Sequence, residues 1–229
     1  MNIKLLITCY EGNYKKIINR IDKKKYPMEI ILYNKKNDKF GIPVKNIGVD
    51  TYDKLHFIVN NYENLPDIII FTTDNALVES KKIKKLEFIL NNIDILKKNS
   101  GFLTGHIFKI PEESVKFTLD VYPRTGKKVI PSTIRPYDKW FNEYIDKDIK
   151  VEETYMCMKS IFAITKDLIL SNSKDYYNQL IDQIEKHSIN GPDSEIPHYL
   201  ERSWLQIFTK NDTKLMFHDF KTYKNIPYK

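Results

Sequence analysis

Residues 67–80 read DIIIFTTDNALVES. An unbroken apolar run, Ile68 to Phe71, stops at Thr72, Thr73, Asp74 and Asn75. A run with no polar face reads as a strand buried on both sides, as the strands of a parallel sheet are. Its end delivers two hydroxyls, a carboxylate and an amide to one place.

The flanking sequence repeats the pattern. IKLLITCY (residues 3–10) and MEIILYNK (28–35) read as two further buried strands, and YKKIINRI supplies a short helix with Ile17, Ile18 and Ile21 on one face. Asp50 or Thr51 is the expected cap of a helix through Tyr62, with Tyr52, Leu55, Ile58, Val59 and Tyr62 keeping the helical period. Pro66 then restricts the chain before the third strand. Ile83, Leu86, Leu90, Ile93 and Leu96 predict one further helix stopping near Gly101. Alternating strands and helices imply a Rossmann-like α/β half, with a mostly parallel sheet covered on both faces.

The second half is less regular. GFLTGHIFKI and VKFTLDVY are expected as strands, KSIFAIT as a strand, KDYYNQLIDQIEKH as an amphipathic helix and IPHYLERSWLQIF as another. The stretch from Tyr122 to Tyr144 carries three prolines and a glycine and reads as a mobile lid or acceptor loop bearing Tyr137, Trp140 and Phe141. With no internal repeat or linker, residues 1–229 are expected as one domain, 1–100 its nucleotide-binding half and 101–229 its acceptor-binding half.

Composition frames these readings. The chain has 229 residues, 41% hydrophobic and 29% charged, enough to bury a core and too balanced for disorder. Scattered lysines account for the net charge of +7 as solvated surface, although such a charge also steers anionic ligands. Cys9 and Cys157 form no C-x-x-C pair, so no zinc site or disulfide framework is indicated. The opening MNIKLLITCYEG is too brief for a secretory segment, and no run approaches the roughly 18–20 apolar residues of a membrane span. A soluble, cytoplasmic protein is expected.

In open α/β sheets ligands bind outside the carboxyl ends of the strands, beside the point where strand order switches. Those ends carry Thr8 and Tyr10, Tyr33 and Asn34, and Thr72, Thr73 and Asp74. Hydroxyls, rings and one carboxylate suit a nucleotide with a metal-bridged diphosphate, and Asp74 is the candidate ligand of Mn²⁺ or Mg²⁺, hard cations that take oxygen donors. A turn or cap role is the alternative. Neither G-x-G-x-x-G nor a P-loop is present, which disfavours dinucleotide enzymes and P-loop NTPases. At about 100° per residue, Glu201 falls within the apolar arc of its helix with Leu200, Trp204 and Leu205. A carboxylate there is either an ion pair with Arg135 or Arg202 or a catalytic base.

LYNK, NIGVDTYDKLHFIVNNYENLPDIIIF, SIFAITKDLIL with DYYNQL, and YLERSWLQIF together resemble an uncharacterised family of fungal and large-virus proteins with Y-N-K, L-P-D and E-R-x-W motifs. That family is similar in plan to GT-A glycosyltransferases, including the small glycosyltransferase domain of a chlorella virus. The resemblance implies a GT-A-like, mostly parallel or mixed sheet and a hexosyltransferase-type enzyme of glycan biosynthesis. It also implies a nucleotide-sugar donor such as a UDP-sugar, a divalent metal, a glycan or protein acceptor, and host cytoplasm if the source is viral. By position Thr72, Thr73 and Asp74 stand where a D-x-D element would be, and Glu201 stands in the E-R-x-W motif. Only the last acidic residue of that element is present. Glu153 and Tyr155 are candidates for the acceptor side, and His218 is a disfavoured candidate for an extra metal ligand, while His198 lies on the polar edge of its helix. A nucleic-acid-binding module, disfavoured, and a degenerate transferase-fold scaffold are the alternatives.

Overall fold

The computed structural model describes residues 1–10, 13–21, 25–36, 40–77, 80–122, 126–157, 159, 161–188 and 194–218. In chain order the elements are β1 (Ile3–Cys9), α1 (Tyr14–Arg20), β2 (Glu29–Asn34), β3 (Ile42–Pro43), α2 (Val49–Asn60), β4 (Ile68–Thr73), α3 (Ser80–Asn92) and α4 (Asp94–Lys98). There follow β5 (Phe102–Thr104), β6 (Phe108–Lys109), α5 (Glu112–Val115), α6 (Tyr137–Tyr144), β7 (Tyr155–Met156), β8 (Phe162–Thr165), α7 (Lys166–Leu170), α8 (Lys174–Lys186), α9 (Ile196–Thr209) and β9 (Met216–Phe217).

A seven-stranded sheet has the order β3-β2-β1-β4-β8-β5-β9. The first four strands run parallel, β8 is antiparallel to β4 and β5, and β9 returns parallel to β5. All six residues of β4 are buried, as its apolar run requires. Alternate side chains enter two cores. Leu5, Ile7, Ile68 and Ile70 meet residues of α1 and α3, while Leu6, Ile69 and Phe71 meet those of α2, α8 and α9. The expected α/β class, a mostly parallel sheet with helices on both faces, is therefore present.

Several elements differ from the sequence expectation. Gly48, not Asp50 or Thr51, caps α2, with φ +61°, and a Cβ there would stand 2.4 Å from Ile184 Cγ2. The left-handed backbone and the close approach of α8 both demand glycine. The expected long helix after β4 breaks at Ile93 into α3 and α4, each of which still buries an apolar face. GFLTGHIFKI divides between two sheets, β5 in the large one and β6 paired with β7. VKFTLDVY forms no strand beyond an isolated bridge from Val121 to Lys128.

The part of the expected lid that bears Tyr137, Trp140 and Phe141 is core. Residues 123–125 lie outside the described residues, but Tyr137, Trp140 and Phe141 on α6 are fully buried and pack against Tyr199 of α9. Their spacing of three and four residues is a helical stripe, and its burial overrides the loop signal of the prolines before it. Among the described residues, no helix is long and apolar enough to cross a membrane.

Candidate functional site

The parallel register places Thr8 between Tyr33 on β2 and Thr73 on β4, so three of the expected residues share one row at the carboxyl edge. The chain passes from β1 to β2 on one side and returns to β4 on the other, making the β1/β4 boundary the switch point. Beyond the backbone ladder, a side chain also spans that boundary: the Tyr10 amide donates to Asp74 Oδ2 at 3.0 Å.

Most of the strand-end residues serve each other. Asn34 holds the turn after β2, donating from Nδ2 to the Phe40 carbonyl at 3.0 Å and accepting from the Lys36 amide at 2.8 Å. Tyr33 is buried, its hydroxyl 3.4 Å from His56 Nδ1 on α2. Thr8 and Thr72 are buried. Thr73 Oγ1 donates to Asn75 Oδ1 at 2.6 Å, and Lys82 Nζ donates to the same oxygen at 2.8 Å. Tyr10 is half-buried. Burial, then the charges of Asp50, Asp53 and Asp74, push its phenol well above the ordinary tyrosine value.

Behind this row lies a layer of buried charge. Lys35 Nζ meets Asp53 Oδ1 at 2.9 Å with both side chains wholly inaccessible, and also donates to the Ile47 carbonyl at 2.7 Å. Burial dominates both partners: it pushes the Asp53 carboxyl up to about 6, against the Lys35 attraction, and pulls Lys35 below the ordinary lysine range. Three residues back, Asp50 shows the reverse balance. Burial alone would raise it, but its ion pair with Lys54 and the charge of Lys82 hold it below the usual carboxylate value.

Above the layer opens a cleft of about 180 Å³. Its walls are the first turn of α2 (Val49, Asp50, Thr51), Lys82 at the start of α3, Lys159, and Pro197, His198 and Glu201 from α9. Glu201 Oε1 accepts the Lys159 amide at 2.7 Å, and Lys159 adopts a left-handed backbone, φ +76°, to present it. The expected arginine partners are turned elsewhere. Arg135 is engaged by Asp120 at 2.8 Å and by Glu195 at 3.0 Å, and Arg202 stacks 3.5 Å above the Phe117 ring. His198 Nε2 lies 2.9 Å from the Tyr122 hydroxyl. Burial holds the imidazole below its ordinary value, against the pull of Glu201, so it is neutral near pH 7.

Asp50, Lys82, Lys159 and His198 were missed as cleft residues by sequence reasoning. His198 and Glu201 stand three apart on one helix, the signal that finds them as a pair. Lys82 and Lys159 carry no such signal. Other expectations separate: Glu153 is exposed and pairs with Lys150, Tyr155 lies in the small sheet, and His218 follows β9, three strands from β4 and on the order of 14 Å away by strand spacing.

For Mn²⁺ or Mg²⁺ the donor set does not fit as it stands. Asp74 is fully buried and its Oδ2 accepts an amide, and among the described residues no three His, Cys, Asp or Glu side chains gather as a metal cage.

A family model described as "Protein of unknown function (DUF3431)" matches residues 15–219. The chain belongs to the DUF3431 family. The matched region of this DUF3431 chain takes in every wall of the cleft. No curated protein matches it in sequence. Among solved structures it is similar to the crystal structure of 4-diphosphocytidyl-2C-methyl-D-erythritolsynthase from Anaerococcus prevotii DSM 20548, at 15% identity over 99% of this chain and 90% of that one, with a TM-score of 0.41.

Proposed function

We propose that this protein is a glycosyltransferase that moves a sugar from a nucleotide-diphosphate sugar, of the UDP type, to a hydroxyl of a glycan or protein acceptor. The observation that carries the reading is Glu201. It is a carboxylate on the cleft wall at the carboxyl edge of a parallel sheet, oriented by the Lys159 amide. That edge, beside the switch point, is where open α/β sheets bind nucleotides.

In this reading the nucleotide lies along the strand ends near Tyr10, with the diphosphate entering the cleft. The acceptor hydroxyl hydrogen-bonds to Glu201. Its oxygen attacks the anomeric carbon, the bond from that carbon to the phosphate oxygen breaks, and the electron pair leaves with the nucleoside diphosphate. Glu201 takes the hydroxyl proton, a role worth typically about 10²–10⁴ in rate.

The test is a thermal-shift series with UDP-sugars followed by a transfer assay. A donor that binds the folded protein raises its melting temperature. Glu201→Gln still accepts the Lys159 amide, so melting and donor binding should hold while transfer falls at least about a hundredfold. A chain that no nucleotide sugar stabilises, or a Glu201→Gln variant that transfers normally, would sink the proposal.

A further inference from the structure

Each of the three aspartates at the strand-end edge is already answered from within the protein. Asp53 is paired with Lys35, Asp50 with Lys54, and Asp74 with the Tyr10 amide. Such carboxylates are spent on holding the layer together, because a buried charge separated from its partner is costly. Two lysines, Lys82 and Lys159, line the cleft. Lys82 is held at the mouth by Asn75 Oδ1, which is itself fixed by the Thr73 hydroxyl. Its charge reaches Asp50 across the cleft. Lys159 lines the same cleft and holds Glu201 through its amide. The polar end of β4 therefore builds a strut for a lysine.

We propose that the cleft binds the donor's diphosphate through Lys82 and Lys159 without a divalent cation, with Thr73 and Asn75 positioning Lys82. The inference rests on the nucleotide-sugar reading above and says what answers the phosphate charge in it. As the bond from anomeric carbon to phosphate oxygen breaks, negative charge grows on the diphosphate. Ammonium groups placed beforehand stabilise that charge by charge-assisted hydrogen bonds. The positive end of α2, whose first turn lines the cleft, adds to the same field.

Isothermal titration calorimetry of the full chain with UDP decides it, in EDTA and in Mn²⁺. The affinity in EDTA should lie within about threefold of that in Mn²⁺. Lys82→Gln and Lys159→Gln should each weaken it at least about tenfold, as expected for losing one charge-assisted contact, and Lys82→Arg should restore most of the loss. Asn75→Ala should weaken UDP binding less than Lys82→Gln, without a change in melting temperature. Asp74→Asn can still accept the Tyr10 amide and should bind UDP as the wild type does in both buffers. UDP binding that appears only with Mn²⁺ and vanishes in Asp74→Asn overturns this inference and leaves the nucleotide-sugar reading standing. Lysine variants that bind UDP like the wild type overturn it equally. Failure to bind UDP in either buffer overturns both.

Discussion

In the parallel half, β1 and β4 bury aliphatic residues on both faces, β2 buries only its last two residues, and the charge that enters the interior gathers mainly at the strand ends, at Lys35, Asp53, Asp50, Lys54 and Asp74, with Lys85 buried on α3. In the half that follows, the strands are two to four residues long, and stability comes from rings: Tyr137, Trp140, Tyr199 and Trp204 are all fully buried. There the buried carboxylate, Glu195, is a brace. It accepts the Leu119 amide at 2.7 Å, the Ser132 amide at 2.8 Å and the Arg135 guanidinium. One half is organised by repeating local pattern and the other by single large side chains tying distant loops, so a single substitution should hurt the second half more.

The largest effect is expected at Trp140. Truncating a fully buried tryptophan leaves a large cavity, and Trp140→Ala should cost about 3–5 kcal/mol in urea unfolding, whereas Ile69→Val in the sheet should cost about 0.5–1.5 kcal/mol. Equal costs would erase the contrast, and a near-neutral Trp140→Ala would restore a lid in place of a core helix. Next comes the brace. Glu195→Ala strands two amides and leaves the Arg135 guanidinium with Asp120 alone, with a cost of about 3 kcal/mol. Proteolysis should then cut first near Leu119 and Ser132, whose amides Glu195 holds. Protection equal to that of the wild type would show that the loop is held by its aromatics alone.

The strand-end layer should reveal itself through pH. Because Asp53 rises from 3.8 to about 6 on folding, the folded state holds the extra proton between those values, and this group's contribution to stability must fall as pH rises through that window. The difference between wild type and Asp53→Asn, followed by urea titration at pH 4, 5 and 6, should shift in that direction by on the order of 2–3 kcal/mol. A difference that is flat or grows with pH would mean that the Lys35 attraction outweighs burial. The smallest effect is expected at the exposed pair Lys45–Glu185, which bridges the halves at 2.6 Å. Lys45→Ala should cost less than about 1 kcal/mol, with melting temperature as the measure.

The legibility of the chain follows the same division. β1, β2, β4, α1, α8 and α9 could be read because each carries its burial pattern within a few consecutive residues. The break between α3 and α4, the parting of β5 from β6, and the cap at Gly48 could not, since each is set by a neighbour distant in sequence, as Ile184 is for Gly48. The stripe of Tyr137, Trp140 and Phe141 was visible but was outvoted by the prolines before it. At the site, Glu201 stood out as a carboxylate on an apolar arc, and the strand-end set of Thr8, Tyr33 and Thr73 was read from where the apolar runs stop.

Period and polarity along the chain thus suffice for the α/β class, the parallel strands and the polar edge where their apolar runs stop, because those are local consequences of which side chains avoid water. They do not say which polar groups at that edge face one another. That Asp74 turns to the Tyr10 amide, that Asp53 is taken by Lys35, and that Lys82, Lys159, His198 and Glu201 meet across one cleft depends on segments as many as 119 positions apart (201 − 82 = 119), brought together by the packing of α2, α3 and α9 around the sheet. Charge pairing in the interior is decided by proximity and desolvation, and both exist only once the chain has folded.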